Sequence, residues 1–572
     1  MTNTRGNLEL QWINKDKSLL YEIDEEKGMG IKPKWVERDD IQVSEPRILK
    51  LKGEYGDPDN ENMLIKGDNL LALRTLVEEF KNRDEKDKVK CMYLDPPYNT
   101  GSAFEHYDDN LELSQWLTMI RDRFILLRIL LKESGVILVQ INHLNVALLR
   151  NCLDEIFRRN NFVQMITVET SDPSGHATVN PGVYNAAEFI LIYAKNKGLM
   201  EYNTNMRVSA PHDFSYNKVV TNRNRPYEEW IIENIADVVA KNKGYQNSKE
   251  MKEKVGLQTL NYEIEQYALE HSESVFQLTA ISDRAGKAIV ELRNKSKNEK
   301  NKVFLLKREK HYDIYIYNGR EMYFYSNKVM KLNGSITNTK PMTNIWADIS
   351  WNGISREGNV FFPRSKKPEA LVKRILKIFS EENDLIMDSF LGSGTTSAVA
   401  HKMKRRWIGI ELGNHVQTHC LPRLNGVVSG EDQTGISKDV NWKGGGGFRY
   451  YEVGESIIKN LDMNWNMTLE EMSKAVFMNF GFSKQKEKLV NGVFVGKSRK
   501  KGRFALCTVT KNIEIVKFEE LMSWLKALKK KYGVWDEVDL YTNKGVGIRG
   551  DVLPEGVMLK KIPESLLAKY NL

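Results

Sequence analysis

Cysteine is scarce in this sequence, and its distribution excludes several classes of protein. The 572 residues contain four cysteines, which stand far apart at Cys91, Cys152, Cys420 and Cys507. No two of them have the spacing of metal ligands, and nothing suggests a disulfide framework. We therefore expect free thiols in a reducing cytoplasm and no metal site.

Long hydrophobic runs are also missing. No apolar stretch has the roughly 20 residues that a membrane-spanning helix needs. The N-terminal residues Met-Thr-Asn-Thr-Arg-Gly have no apolar stretch behind their charge. We therefore expect neither a membrane span nor a secretory signal. No internal repeat is apparent.

The charge balance is mildly basic, with 85 Lys and Arg residues against 76 Asp and Glu residues and a formal net charge of +9. This balance is compatible with a polyanionic partner such as nucleic acid, but it does not require one. The length predicts about two to four domains.

The sequence does contain a split alternation of strands and helices. Short apolar strands and amphipathic helices alternate over residues 64–193, and the pattern resumes over residues 365–411. Between the two blocks the sequence is polar, aromatic and rich in Asn and Lys, which predicts an inserted domain. We expect an α/β parallel sheet with an N-terminal arm at 1–60, a first half at 61–200, an inserted domain at 201–345, a second half at 346–425 and a mixed C-terminal domain at 426–572.

A glycine loop at residues 388–396 follows a predicted strand and precedes a predicted helix. Gly392 and Gly394 allow a tight turn and the close approach of a ligand. The helix N-terminus offers unpaired N–H groups to an anion, and Thr395 and Thr396 add hydroxyls. No Lys follows the second glycine, so this is not a Walker loop, and Ser397 stands where a dinucleotide fingerprint has its third glycine.

Glu411 ends the next predicted strand, where α/β nucleotide sites bind ribose hydroxyls. With the glycine loop, this carboxylate predicts a site for adenosine carrying a small anionic group, and S-adenosylmethionine fits that description. For the loop alone, a glycine turn in another α/β fold is the alternative.

The tetrapeptide Asp95-Pro96-Pro97-Tyr98 follows another predicted strand. Its two prolines hold a stiff bend that leaves main-chain carbonyls free. Asp95 can accept one hydrogen of an exocyclic amine, and the Pro96 or Pro97 carbonyl can accept the other. Tyr98 offers an aromatic face to a base taken out of a duplex. The pattern predicts methyl transfer to a base amine without metal or covalent enzyme intermediate; alternatively, the prolines only end a strand and Tyr98 packs.

On these residues the sequence resembles the DNA amino-methyltransferases of the β arrangement, in which the catalytic tetrapeptide precedes the cofactor loop and a target-recognition domain lies between them. The resemblance covers most of residues 60–425 and extends to the segments 67–70, 135–141, 188–195 and 366–368. It implies a Rossmann-like S-adenosylmethionine-dependent methyltransferase fold with an inserted target-recognition domain. It also implies these cofactor-binding residues: Asp68, Asn69, Lys367, Asp388, Phe390, Gly392, Gly394, Thr395, Thr396 and Glu411.

The sequence is similar, more specifically, to the modification (Mod) subunits of type III restriction-modification systems. This similarity lies in the region of Trp12, the glycine-rich segment 442–448 and the trailing domain. It implies site-specific methylation of double-stranded DNA by a cytoplasmic, nucleoid-associated homodimer, with a separate helicase-nuclease (Res-type) partner that cuts. Asp at the first tetrapeptide position indicates adenine N6. A cytosine-N4 enzyme and a non-catalytic DNA-specificity subunit are the alternatives.

In the inserted domain, basic residues alternate with Tyr and Asn. Arg and Asn side chains pair with base edges, and Lys and Arg neutralise phosphates. A solvated charged face is the alternative for each single residue. The predicted DNA-binding residues are Arg207, Lys218, Arg223, Arg225, Arg284 and Lys287.

Overall fold

The computed structural model of the chain divides into two compact units, Met1–Asn203 with Asn344–Leu572 and, inserted between these segments, Thr204–Thr343. The second unit lies inside the range that the sequence predicts for an inserted domain. The structure describes residues 9–24, 30–58, 61–81, 83–100, 112–171, 183–204, 206–309, 312–332, 334–363, 366–486, 488–489, 492–511, 515–543, 545–547 and 553–572.

Before the insertion, the first unit contains β1 (Ser18–Asp24), β2 (Gly30–Val36), α1 (Ile41–Ser44), β3 (Leu49–Gly56), β4 (Met63–Lys66), α2 (Asn69–Phe80), β5 (Val89–Leu94), α3 (Leu113–Leu130), β6 (Leu131–Ile141), α4 (Val146–Leu153), β7 (Phe162–Glu169) and β8 (Ala187–Ala194). The second unit contains β9 (Arg207–Ser209), β10 (Lys218–Val220), β11 (Ile232–Asn234), α5 (Ile235–Asn242), α6 (Ser248–Glu270), β12 (Val275–Thr279), α7 (Lys287–Asn298), β13 (Val303–Leu306), β14 (Ile314–Tyr317), β15 (Arg320–Phe324), β16 (Val329–Leu332) and β17 (Ser335–Pro341).

After the insertion, the first unit continues with β18 (Ile345–Trp346), α8 (Glu369–Phe379), β19 (Leu385–Asp388), α9 (Thr395–Lys402), β20 (Arg406–Glu411), α10 (Leu421–Ser429) and β21 (Gly447–Val453). Its C-terminal part contains β22 (Ile458–Lys459), β23 (Asp462–Met463), α11 (Leu469–Asn479), β24 (Ser483–Lys484), β25 (Phe494–Lys497), β26 (Arg503–Thr508), β27 (Ile515–Lys517), α12 (Phe518–Tyr532), β28 (Glu537–Thr542), β29 (Gly545–Gly547), β30 (Val557–Lys561) and α13 (Glu564–Lys569).

Ten strands of the first unit form one mixed sheet in the order β18-β7-β8-β6-β5-β19-β20-β4-β21-β3. From β6 to β21 the strands are parallel, whereas β8 and β3 run antiparallel to their neighbours. The two halves of the sequence pattern meet where β5 pairs with β19. The predicted fold class, a Rossmann-like α/β sheet, is confirmed.

The centre of this sheet is buried on both faces because helices cover it. All six residues of β5 are buried, and α3 packs Trp116 and Phe124 into the same apolar core as Leu73 of α2. Sequence periodicity predicts these elements well because the apolar positions are dense and the strands are short.

The sheet extends beyond the halves predicted from the sequence. Strand β3 lies in the predicted N-terminal arm and β21 in the predicted C-terminal domain, yet both pair at one edge of the sheet. The boundaries predicted at residues 60 and 426 are therefore not boundaries of the sheet. Edge strands are half exposed, and the alternating Lys and Leu residues of β3 look irregular in the sequence for this reason. The last residue of the glycine run, Gly447, is the first residue of β21, and a Cβ on it would lie 2.4 Å from Asp57 backbone atoms.

Both ends of the inserted segment are hydrogen-bonded within the first unit. The amide of Asn203 donates to the carbonyl of Ile378 at 2.8 Å, and the amide of Thr167 donates to the carbonyl of Asn344 at 2.8 Å. The chain therefore leaves the first unit and returns to it at fixed points.

The second unit has its own sheets and core. Six strands pair in the order β11-β10-β12-β15-β14-β13, and three more in the order β16-β17-β9. Helices α5 and α6 pack on one core that includes Val239, Ile264 and Tyr325. The strands are three to seven residues long and partly exposed, which is why the sequence shows no clear periodicity here.

The C-terminal part of the first unit is a smaller α/β layer. Strands pair in the order β24-β25-β26-β28-β30, with α11 and α12 contributing Phe477 and Trp524 to its cores. Among the described residues, no helix has both the length and the apolar character that crossing a membrane would need.

Candidate active site

A cleft opens at the carboxyl ends of β5, β19, β20 and β4. In a doubly wound sheet this is the edge at which ligands bind. It brings together most of the site residues predicted from the sequence; those that line it are Asp68, Asn69, Asp95, Pro97, Lys367, Asp388, Phe390, Gly392, Thr395, Thr396 and Glu411. The lining does not include the predicted residues Pro96, Tyr98 and Gly394.

The glycine loop lies between β19 and α9 with both glycines in the left-handed region, at φ +56° for Gly392 and +85° for Gly394. A Cβ built on Gly392 would have no atom within 4 Å, so the space beside this residue is open to a ligand. The hydroxyls of Thr395 and Thr396 both have hydrogen-bond partners within the protein. Thr396 donates to Asp388 Oδ2 at 2.6 Å, and Thr395 accepts from Arg423 at 2.8 Å, so both hydroxyls hold the loop together.

Asp388 is buried below the loop, where its carboxylate accepts the amide of Phe390 at 2.9 Å as well as the Thr396 hydroxyl. Burial raises the pKa of Asp388 to about 7, although these two hydrogen bonds act in the opposite direction. A carboxyl group that titrates near neutrality inside a cleft marks a candidate functional site.

Glu411 ends β20 and closes the other side of the loop. Its carboxylate accepts the amides of Gly392 at 2.7 Å and Leu412 at 2.9 Å, and His415 lies 3.4 Å away. Burial raises the pKa of Glu411, but the hydrogen bonds and the charge of His415 outweigh it and leave this pKa below its usual value. Glu411 therefore stays a carboxylate at the position predicted for ribose contacts.

Asp68 and Asn69 enter the cleft from the start of α2. Asp68 caps this helix by accepting the amide of Leu70 at 2.7 Å, and Asn69 donates to the carbonyl of Ser389 at 2.7 Å. Arg123, which sequence reasoning missed, lies on the buried face of α3 and pairs with Asp68 at 2.9 Å. A basic residue in the apolar stripe of an amphipathic helix is the signal that could have found it.

The tetrapeptide follows β5, and helix α3 and the start of α4 fix its backbone. Trp116 donates from Nε1 to the carbonyl of Pro97 at 2.7 Å, and Asn145 donates from Nδ2 to the carbonyl of Tyr98 at 2.7 Å. Because Trp116 engages the Pro97 carbonyl, the Pro96 carbonyl is the better candidate for the second contact to an amine.

The side chains of the tetrapeptide meet charged neighbours. The hydroxyl of Tyr98 is 2.7 Å from Asp95 Oδ1 and 2.8 Å from Glu188 Oε2, and Lys367 Nζ is 2.8 Å from Asp95 Oδ2. Burial raises the pKa of Asp95; Lys367 lowers it, and the charge of Glu188 raises it again. Lys367 thus lies in the cleft as predicted, but its ammonium group faces Asp95.

In the second unit, the structure gives the predicted DNA-binding residues two kinds of surroundings. Arg207 bonds to Thr339 at 2.7 Å, and the guanidinium of Arg223 lies 3.8 Å from the ring centroid of Trp230. Lys218 is partly buried in β10. Arg225, Arg284 and Lys287 are exposed.

The sheet and its cleft place the chain in the Rossmann-like α/β class. Strands β5 and β19 end side by side at the topological switch point of the sheet, where enzymes of this class bind nucleotides. The family follows from the sequence itself, because a family model described as DNA methylase, for N6 and N4 methyltransferases, matches residues 89–419. This match covers more than half of the chain. The chain therefore belongs to this DNA methylase family, and the resemblance inferred from its motifs is confirmed.

Similar proteins come from restriction-modification systems. The "Probable type III restriction-modification enzyme HindVI Mod subunit" of Haemophilus influenzae is 32% identical over 69% of this chain and 54% of its own length. The type III restriction-modification enzyme EcoPI Mod subunit of Escherichia phage P1 is 27% identical over 60% of this chain and 55% of its own. The type II methyltransferase M.EcaI of Enterobacter cloacae is 36% identical over 27% of this chain and 35% of its own. The chain thus spans about half the length of the Mod subunits that it matches.

Proposed function

We propose that this chain is a site-specific DNA methyltransferase that transfers a methyl group from S-adenosylmethionine to N6 of adenine, as the modification subunit of a type III restriction-modification system. One observation carries the proposal: Asp95 and the glycine loop at Asp388, far apart in the sequence, follow adjacent parallel strands and line one cleft. A base amine and a methyl donor held in this cleft would be neighbours.

The residues of the cleft suit S-adenosylmethionine. The open space beside Gly392 would let the ligand approach the backbone of the loop closely. The carboxylates of Glu411 and Asp68 would accept hydrogen bonds from ribose and adenine. Other residues proposed to contact the cofactor are Asn69, Lys367, Asp388, Phe390, Gly394, Thr395 and Thr396. When bound, this cofactor supplies a methyl group that is already activated for attack, so the protein needs no metal for the transfer.

The tetrapeptide would hold the target amine. Asp95 would accept one N–H hydrogen, and the Pro96 carbonyl, held by the bend that Pro97 continues, would accept the other. The ring of Tyr98 would stack on the base, which leaves the duplex to reach the cleft. Such fixed acceptors place the nitrogen lone pair toward the methyl group, and positioning and electrostatics are the main contributions of the protein.

The inserted unit would select the DNA sequence. In this proposal the exposed residues Arg225, Arg284 and Lys287 contact double-stranded DNA directly, whereas Arg207 and Arg223 shape the surface through their partners within the unit. By analogy with the Mod subunits that it matches, we also propose a homodimer, a Res-type helicase-nuclease partner, and a cytoplasmic location on the nucleoid.

The test is to express the full chain in a methylation-deficient bacterial host and sequence its DNA by a methylation-aware long-read method. We expect N6-methyladenine at one short motif. The Asp95→Ala variant should bind cofactor and DNA but leave the motif unmethylated. N4-methylcytosine in place of N6-methyladenine would refute the choice of base, and an unmethylated genome would refute the catalytic function.

A further inference from the structure

Glu188 lies against the tetrapeptide but belongs to a different strand, β8, on the far side of β6. Its Oε2 is 2.8 Å from the hydroxyl of Tyr98, and the same hydroxyl is 2.7 Å from Asp95 Oδ1. One hydroxyl has one proton and cannot donate to two carboxylates at once. The hydroxyl of Tyr98 therefore lies between Asp95 and Glu188, links the two carboxyl groups, and can donate its proton to only one of them at a time.

The link continues into the core behind Glu188. Gln140 of β6, which is fully buried, donates from Nε2 to Glu188 Oε2, and the hydroxyl of Tyr93 donates to Gln140 Oε1. These bonds fix the carboxylate of Glu188 on the Tyr98 side of β8. A side chain held from both sides has little freedom to point elsewhere.

Lys367 faces the same pair from the segment before α8. Its Nζ is 2.8 Å from Asp95 Oδ2 and 3.8 Å from Glu188 Oε2, and it lies 5.3 Å from the centroid of the Tyr98 ring. The side chain of Lys367 is 8% exposed, so solvent screens these charges weakly. Asp95 thus has a cation on one side and an anion on the other.

We propose that Glu188 and Lys367 act on Asp95 as an opposed pair of charges, and that Glu188 also holds the Tyr98 ring through its hydroxyl, so that both are positioning residues for methyl transfer. This inference rests on the proposed function. It assigns to Glu188 a role that the sequence motifs do not give it. It also makes Asp95, a residue of the protein, the group on which the ammonium of Lys367 acts.

The reaction explains why two opposed charges are useful. The target nitrogen forms a bond to the methyl carbon, the electron pair of the old bond stays with sulfur, and the nitrogen must then lose a proton. Asp95 accepts that proton as a carboxylate. Lys367 lowers the pKa of Asp95 and so favours its carboxylate form, whereas Glu188 raises this pKa and so makes the carboxylate a stronger proton acceptor. Tyr98, Tyr93 and Asp388 are further ionisable groups that interact electrostatically with Asp95.

The test is the pH profile of single-turnover methyl transfer by the full chain, on a duplex carrying the motif found by sequencing. Glu188→Gln removes a negative charge, lowers the pKa of Asp95, and should move the acid limb of the profile to lower pH while the plateau rate falls about tenfold. Lys367→Met removes a positive charge and should move the same limb to higher pH. A purely structural role would not move the limb in opposite directions.

The matched control is Lys132→Met, because Lys132 pairs with Asp384 at 2.9 Å with similar exposure but outside the cleft. We expect its profile to overlay that of the wild type. If Glu188→Gln does not fold, Glu188→Ala replaces it and the same opposite shifts are required.

Acid limbs that stay in place, or that move together, would overturn the inference. So would a Lys367→Met variant whose only defect is weaker binding of S-adenosylmethionine. A wild-type chain that methylates no base refutes the proposed function instead, so the two failures are distinguishable.

Discussion

The indole Nε1 of Trp116 donates a hydrogen bond to the carbonyl oxygen of Pro97 at 2.7 Å. Trp116 is fully buried in helix α3, so this bond ties the tetrapeptide to the rigid core of the sheet. The same bond is the reason for proposing the Pro96 carbonyl, and not that of Pro97, as the acceptor for a substrate amine.

The Trp116→Phe variant tests this tie. Losing the donor leaves a partly buried carbonyl without its protein partner, so we expect the free energy of unfolding to fall by about 1 kcal/mol. Because the tetrapeptide would shift, the single-turnover rate should also fall by about tenfold. Urea denaturation and rapid-quench kinetics measure the two effects. Trp12→Phe is the control, because Trp12 Nε1 donates to Thr118 of helix α3 at 2.8 Å but does not contact the tetrapeptide through this bond. Its loss should lower stability and leave the single-turnover rate unchanged.

Arg423 supports the glycine loop from behind. It donates to Thr395 Oγ1 at 2.8 Å and to Glu369 Oε1 at 2.8 Å, and the side chains of Arg423 and Glu369 are fully buried. In Arg423→Met a buried carboxylate loses a partner, so we expect a loss of about 3 kcal/mol in the free energy of unfolding. The affinity for S-adenosylmethionine should fall as well, as measured by calorimetry.

Arg374→Met is the matched control for that variant. Arg374 pairs with Asp348 at 2.6 Å, but Asp348 is half exposed, so the pair should contribute only about 0–1 kcal/mol. Equal losses of stability in the two variants would contradict the role given to Arg423.

Asp388 makes stability depend on pH. Burial raises its pKa to about 7 in the folded chain, above the usual value for Asp in the unfolded chain. The folded state therefore binds the proton more tightly, and stability falls as the pH rises from about 4 to 7, by up to about 1.4 kcal/mol per pH unit, and then levels off. Asp388→Asn removes this contribution. The difference in unfolding free energy, wild type minus variant, should decrease over this interval; a constant difference would contradict the prediction.

A comparison of alanine variants at Gly392 and Gly353 distinguishes backbone strain from the loss of cofactor binding. Gly392→Ala places a Cβ in the open space beside the loop, at φ +56°, and we expect cofactor binding to be lost or strongly weakened. Gly353 has φ +76° and equally open surroundings outside the cleft. Gly353→Ala should therefore cost a similar amount of strain, about 1–2 kcal/mol, and leave cofactor affinity unchanged. Thermal unfolding and calorimetry give the two numbers.

Local patterns in the sequence were enough to predict the strand ends that line the cleft. Asp95, Asp388 and Glu411 each follow a short apolar run, and the carboxyl ends of parallel strands share one edge, so the cleft was predictable without knowing any distance. The family was predictable for the same reason, since its motifs are short and local.

Contacts between distant parts of the chain were not predictable in this way. Arg123 lies among apolar residues of α3, which marks it as unusual. The sequence near it does not indicate that its partner is Asp68 at the start of α2. Strand β3 escaped the sequence pattern because edge strands need few apolar residues, and β21, which pairs between β4 and β3, is itself only partly buried. The loop alone predicted Thr395 and Thr396 as donors to a ligand. The bonds of their hydroxyls to Arg423 and Asp388 were not predictable, because these bonds depend on tertiary packing.

The fixed points at which the inserted segment leaves and rejoins the first unit have an evolutionary consequence. Asn203 and Asn344 are each hydrogen-bonded within the first unit, so the inserted segment starts and ends at positions that the first unit itself holds. A lineage that exchanged the segment between these two anchors would keep both hydrogen bonds, so the size and sequence of the segment could change while its attachment points stayed the same.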